Sequence, residues 1–238
     1  DPLLALIGLY NTDQREDKID LGVGVYRDDA GRTPVMRSVK AAERELLETQ
    51  NSKSYVAPEG DRMFLDLLWD LVGGKGHGKF AAGVQTPGGS GALRLASDLV
   101  ARAGSGRLHL GLPSWPNHAG IFGATGLSVE TYPYFDVPTQ DVRFASMMKA
   151  LSSAPRGDTV LIHASCHNPT GAVWSAADMV ELAAVTRGTG IVVVADEVYE
   201  HIVFDGARHE SAARDPELAA RSVIVSSFGK TYHVTGWK

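Results

Sequence analysis

Only one cysteine, Cys166, occurs in the 238 residues, so no disulfide can close within the chain. Stability must then come from a packed core, and a reducing cytoplasm is the expected setting. No apolar run approaches the length needed to span a membrane. The first residues, Asp1-Pro2-Leu3-Leu4, lack the basic stretch followed by an apolar run that a secretory signal needs. Charge of one sign is only mildly in excess: 23 Lys and Arg against 28 Asp and Glu leave a formal charge of −5. That balance offers nucleic acid or anionic lipid no general attraction, and any anion must be held by a local site. The 26 glycines are dispersed, with no repeat period and no low-complexity linker. The single cysteine leaves no second ligand pair at metal spacing, so no metal is expected.

What is present is a patterned globular chain, 44% hydrophobic and 21% charged. Helical spacing runs through residues 38–50, 62–72, 91–103 and 176–187. Short apolar runs at 108–112, 128–132, 159–163, 191–195 and 222–226 read as strands. Val192-Val193-Val194 is continuous rather than alternating, as in a strand buried on both faces. The alternation predicts an α/β fold, a mostly parallel sheet flanked by helices. Residues 1–33 do not fit it and read as an N-terminal arm plus a segment of a small domain, leaving 34–238 for the main domain. The stretch 73–79, Gly-Gly-Lys-Gly-His-Gly-Lys, reads as a surface loop.

Open α/β sheets bind ligands beyond the carboxyl ends of their strands, so polar residues just after the apolar runs are the candidates. Four clusters stand there. Thr86-Pro87-Gly88-Gly89-Ser90-Gly91 opens a helix; the Gly89 and Ser90 amides could meet a phosphate, or the segment is a plain glycine turn. Pro113-Ser114-Trp115-Pro116-Asn117-His118 offers either a flat ring for a planar cofactor or a core tryptophan. In His163-Ala164-Ser165-Cys166-His167-Asn168-Pro169-Thr170-Gly171, Asn168 could bond a ligand oxygen, or the histidines simply satisfy a turn. Last, Asp196 ends an apolar strand, where a lone carboxylate is costly unless paired, for which a protonated pyridine nitrogen would serve. Lys230 follows the next strand. Gly229-Lys230-Thr231 imitates the end of a nucleotide-binding loop, but that loop needs glycine five positions earlier, and position 224 is Ile.

Anion cradle, aromatic plate, amide donor, carboxylate and amine together are the parts that pyridoxal 5′-phosphate requires. At this point the chain resembles the class I, fold-type I aminotransferases over essentially its whole length. Residues 19–27 (IDLGVGVYR), 86–94 (TPGGSGALR), 113–118 (PSWPNH) and 167–171 (HNPTG) are similar to the aspartate and aromatic amino-acid enzymes. Residues 196–200 (DEVYE) and 226–238 (SSFGKTYHVTGWK) are closer to the methionine and kynurenine branch.

The resemblance implies that Lys230 holds the cofactor as a Schiff base, that Asp196 pairs with its ring nitrogen, and that Asn168 and Tyr199 bond its 3′-oxygen. Trp115 would stack on the ring. Gly89, Ser90, Ser227 and Lys238 would hold the phosphate, and Tyr55 would reach the phosphate of a neighbouring subunit in a homodimer. Gly24, Trp115 and Asn168 would face the substrate, and His118 and His163 would lie near Asp196. The implied reaction is transamination between an L-amino acid, aspartate or aromatic, and a 2-oxo acid such as 2-oxoglutarate. Lyase chemistry of the C–S type on the same cofactor, or an inactive cofactor-binding dimerisation module, are the alternatives. The family continues beyond position 238 and carries there the arginine for the substrate carboxylate, so the 238 residues alone are expected to turn over little or nothing.

Overall fold

The computed structural model describes residues 2–20, 22, 24–74, 82–104 and 106–237. Lys238 and most of the glycine-rich stretch 73–79 therefore lie outside the described residues. The chain divides into two compact units, one of Asp1–Asn51 with Tyr232–Val234, the other of Ser52–Thr231 with Thr235–Lys238.

In the first unit, helix α1 spans Pro2–Thr12 and α2 spans Arg37–Thr49. Helix α1 lies in the segment read as an arm. Apolar spacing gave no sign of it, because its apolar residues follow one another round the helix without forming one stripe. Lys18 pins the chain behind it: its ammonium donates to the carbonyls of Tyr10 and Asp13, both at 2.7 Å, and stands 4.3 Å over the Tyr10 ring.

The second unit begins with α3, Arg62–Gly73, where Asp61 accepts the Phe64 amide at 2.8 Å as N-cap. Helix α4 follows at Gly88–Ala103, then β1 at Arg107–Leu112, α5 at Asn117–Gly123 and β2 at Ser128–Pro133. A short antiparallel hairpin, β3 Phe135–Asp136 and β4 Asp141–Val142, leads to α6, Phe144–Ser152. Strand β5 is Thr159–Ile162, α7 is Ala176–Thr186 and β6 is Val192–Asp196. The short α8, Pro216–Ala219, precedes β7, Ser222–Val225, and α9, Phe228–Thr231.

Five strands form one sheet in the order β2-β1-β5-β6-β7, all parallel. That is the α/β, helix-flanked sheet expected from the alternation. Successive strand residues point to opposite faces, and the core divides accordingly. Val160, Ile162, Val193 and Ala195 pack with Met147 and Leu151 of α6 and Met179 and Leu182 of α7. Leu108, Leu110, Leu161, Val194 and Val225 pack with Leu93, Ala96 and Val100 of α4 and Phe122 of α5. Burial of such side chains stabilises by about 1.5–3 kcal/mol each. The continuous apolar run at Val192-Val193-Val194 is explained by this: both faces of β6 are covered.

The chain leaves β1 for β2 on one side and later returns to lay β5 on the other. Strand order thus reverses at β1, the point at which open α/β sheets form a ligand crevice beyond the carboxyl ends of their strands.

Candidate active site

Each cluster after a strand lands at that crevice edge for a local reason. Asp196 is the last residue of β6 and is 2% exposed. A carboxylate at that depth needs partners. Its Oδ2 lies 2.9 Å from Nε2 of His118, and its Oδ1 accepts the Val198 amide at 3.3 Å. His118 is itself fully buried, in the first turn of α5, and its Nδ1 is 2.8 Å from the Ser114 hydroxyl. The order Ser114, His118, Asp196 is therefore a hydrogen-bonded line that aims one carboxylate. Trp115, half-buried, meets the His118 ring edge-on at 5.2 Å.

A second line of rings joins this one to Lys230. His163, just past β5, stands edge-on to His118 at 5.8 Å and stacks on Tyr199 at 5.5 Å with a 21° tilt. The Tyr199 hydroxyl accepts from the Asn168 amide at 3.5 Å. The Lys230 ammonium lies 5.6 Å from the centre of the Tyr199 ring. Carboxylate, imidazole, phenol, amide and amine are thus gathered from the ends of β1, β5, β6 and β7.

Burial sets the electrostatics. His163 accepts the Asn168 backbone amide on Nδ1 at 3.2 Å, while Nε2 has no hydrogen-bond partner. Burial pushes its pKa down to about 4, with His118 adding to the drop and Asp196 opposing it. His167 is pushed down to about 3, again chiefly by burial. Both imidazoles are neutral at pH 7. The Tyr199 phenol is raised by burial and by Asp196, against the pull of Asn168, and keeps its proton.

On the far side, Gly89 is buried where α4 begins. A Cβ there would stand 3.1 Å from Cγ1 of Val198 and 3.8 Å from Cβ of Ser227. Glycine is what allows the α4 start, the turn after β6 and the turn after β7 to meet. Helix α4 begins at Gly88, three residues ahead of the predicted start, and no side chain caps its N-terminus. Ser90 is exposed in the first turn, and Ser227 is buried.

Two candidates stand apart in kind. Tyr55 is fully exposed. Gly24 is exposed and belongs to the first unit. Among the described residues no group of three His, Cys, Asp or Glu side chains is arranged to hold a metal. None of the described helices is long and apolar enough to cross a membrane.

Sequence reasoning left out Ser114 as the third member of the Asp196 line, and it left out Glu200 and Ser226. The Glu200 carboxylate, 4% exposed, accepts the Ser226 hydroxyl at 2.8 Å. The signal was a glutamate four residues after Asp196, close behind an apolar strand, which demands a partner as Asp196 does.

The sequence model for aminotransferase class I and II matches residues 16–238. The chain belongs to the aminotransferase class I and II family. Among its relatives, the tyrosine aminotransferase of Rhizobium meliloti (strain 1021) is 60% identical over 204 residues, 84% of this chain and 52% of that protein. The aromatic-amino-acid aminotransferase of Paracoccus denitrificans is 39% identical across 99% of this chain and 62% of its own length. Among solved structures, an aromatic amino acid aminotransferase with 3-indolebutyric acid superposes with a TM-score of 0.88 at 39% identity, over 98% of this chain and 60% of the other. The aromatic-amino-acid aminotransferase from Burkholderia pseudomallei, covalently bound to pyridoxal phosphate, reaches 0.88 at 32% identity, over 99% and 61%. This aminotransferase-family chain spans between half and two thirds of the length of these relatives.

Proposed function

We propose that this chain forms the cofactor-binding part of a pyridoxal-phosphate-dependent aminotransferase. It would move an amino group between an L-amino acid, aromatic or aspartate, and a 2-oxo acid such as 2-oxoglutarate. The observation that carries this reading is the gathering of Asp196, Asn168, Tyr199 and Lys230 at one crevice edge, with Asp196 held by His118 at 2.9 Å. The residues fit the cofactor. A buried carboxylate suits a protonated pyridine nitrogen, and the glycine at 89 lets the start of α4 pack close to Val198 and Ser227, so that its first amides would face a phosphate held beside Ser227.

In this reading Lys230 holds the cofactor through its ε-amine. Asp196, aimed by His118, keeps a proton on the ring nitrogen. Asn168 and Tyr199 donate to the ring 3′-oxygen, and Trp115 covers a ring face. Gly89, Ser90, Ser227 and Lys238 hold the phosphate. Gly24, Trp115 and Asn168 face the substrate. When bound, pyridoxal phosphate supplies an electron sink for the pair left behind as the substrate Cα proton departs. With the cofactor bound, the Lys230 amine would be the base placed to take that proton. The low pKa of His163 keeps an uncharged ring beside Tyr199, so no fixed positive charge competes with Lys230 there.

The exposed Tyr55 supports a homodimer in which it reaches the partner's phosphate. The division into residues 1–33, an arm and small-domain segment, and 34–238, the large domain, belongs to the same proposal, as does a cytoplasmic location. The names of the relatives favour aromatic or dicarboxylic donors.

The test is a product assay on the intact protein with pyridoxal phosphate and 2-oxoglutarate. Glutamate and the matching 2-oxo acid should form from tyrosine, phenylalanine or aspartate in ping-pong fashion. Ammonia and pyruvate from cysteine-type substrates, without glutamate, would favour the lyase alternative. Neither product from a cofactor-loaded protein would favour an inactive binding module.

A further inference from the structure

The two turns that carry the proposed chemistry are joined by a side chain that no role above uses. Tyr199 sits in a turn closed by the Glu200 amide donating to the Glu197 carbonyl at 3.0 Å and the Ile202 amide donating to Tyr199 at 2.8 Å. Ser226 directly follows β7 and precedes Ser227, whose carbonyl lies 3.4 Å from the Lys230 amide. The Glu200 carboxylate reaches from the first turn to the second. Its Oε1 accepts the Ser226 hydroxyl at 2.8 Å, and its buried Oε2 has no side-chain hydrogen-bond partner among the described residues. Behind it Glu197, fully buried, is held by His209 at 2.8 Å and by the Ala212 amide at 2.9 Å.

A structural strut has no need of a carboxyl group here. Burying one with a hydroxyl and its own backbone amide as donors is costly, and an amide would accept the same bonds. What the carboxyl adds is a charge-assisted O–H···O⁻ bond once it ionises.

We infer that Glu200 is a positioning residue that ties the Tyr199 turn to the Ser226–Lys230 turn and tightens that tie as it becomes charged. The inference rests on the proposed reading of the site. Burial raises the Glu200 carboxyl to about 7, opposed by its own backbone amide, Ser226 and His209, with Glu197 adding a little to the rise. The titratable groups that bear on it are Glu197 and His209, with His201 next in the chain. The change of charge therefore falls near neutrality, where the site would work.

The experiment uses the intact protein loaded with pyridoxal phosphate. It reads two quantities: cofactor dissociation, and the absorbance of the bound cofactor as a function of pH. Wild type is compared with Glu200→Gln, Ser226→Ala and the double variant Glu200→Gln/Ser226→Ala. Loss of a hydrogen bond to a charged group is worth about a tenfold change. Wild type should bind the cofactor about tenfold more tightly relative to Glu200→Gln at about pH 8 than at about pH 6. Ser226→Ala should erase that pH-dependent difference, and the double variant should be no weaker than Ser226→Ala. The bound-cofactor absorbance should lose one titration step near neutrality in Glu200→Gln.

An unchanged pH profile in Glu200→Gln, or effects of the two single variants that simply add, would overturn the inference while leaving the site reading intact. Cofactor binding that fails in wild type would overturn both. Should Ser226→Ala not fold, Ser226→Thr, which keeps the hydroxyl, must behave as wild type while Glu200→Gln still flattens the profile.

Discussion

His167→Phe should make the protein less sensitive to acid. The imidazole is 5% exposed, packs on Tyr134 with ring centres 4.5 Å apart, and bonds the Thr170 hydroxyl through Nδ1 at 2.9 Å. Burial holds its folded pKa at about 3, against an ordinary value of 6.5. A base whose folded pKa is depressed contributes fully above its unfolded pKa, and that contribution drains away as pH falls below 6.5. At about pH 5 the unfolded chain has taken up this proton and the folded chain has not, a difference of about 2 kcal/mol at 1.36 kcal/mol per pH unit. Phenylalanine fills the ring space without titrating. It also loses the Thr170 bond, about 1 kcal/mol, but that loss is the same at both ends of the range. Urea unfolding at fixed protein concentration, at about pH 7.5 and about pH 5, gives the variant-minus-wild-type difference directly. That difference should move about 2 kcal/mol in favour of the variant on acidification. A difference that does not change with pH would show that His167 is not held neutral by burial.

Other outcomes follow from particular contacts. Gly89→Ala puts a methyl 3.1 Å from Cγ1 of Val198, which must give by a few tenths of an ångström where the α4 start meets the turn after β6. Overpacking of about 1–3 kcal/mol should weaken pyridoxal phosphate binding by about tenfold or more, read by equilibrium dialysis, with far-ultraviolet circular dichroism unchanged. His118→Phe leaves the Asp196 carboxylate, 2% exposed, with the Val198 amide at 3.3 Å as its one remaining hydrogen-bond partner among the described residues. Removing one partner of a buried pair costs about 3–5 kcal/mol, so thermal unfolding should fall by several degrees. An unchanged transition would mean the His118–Asp196 pair is not held as described.

Much of this architecture was legible because it depends on short-range patterns. The run at β6 is apolar on both faces, and with the shorter apolar runs at β1, β5 and β7 and the helices that alternate with them it is hard to mistake for anything but a buried strand. The polar residues after them were legible as a site because a carboxylate or amine at the end of an apolar strand needs a reason to be there. Helix α1 was not legible, since no stripe distinguishes its faces. Helix α4 starts earlier than its spacing suggests because Gly88 and Gly89 contribute no side chain to a pattern. The lines Ser114–His118–Asp196 and Glu200–Ser226 join residues up to 78 and 26 positions apart. Only the register of β6 against its neighbours brings those atoms together, and one sequence does not contain that register.

The proposed site requires Lys230 and Asp196 to serve one bound cofactor. Borohydride reduction of the pyridoxal-phosphate-loaded intact protein, followed by peptide mapping, tests it most directly. The label should be found on Lys230 in wild type, and Lys230→Ala should take up no reducible label. A label on any other lysine, or a Lys230→Ala variant that retains it, would contradict the account.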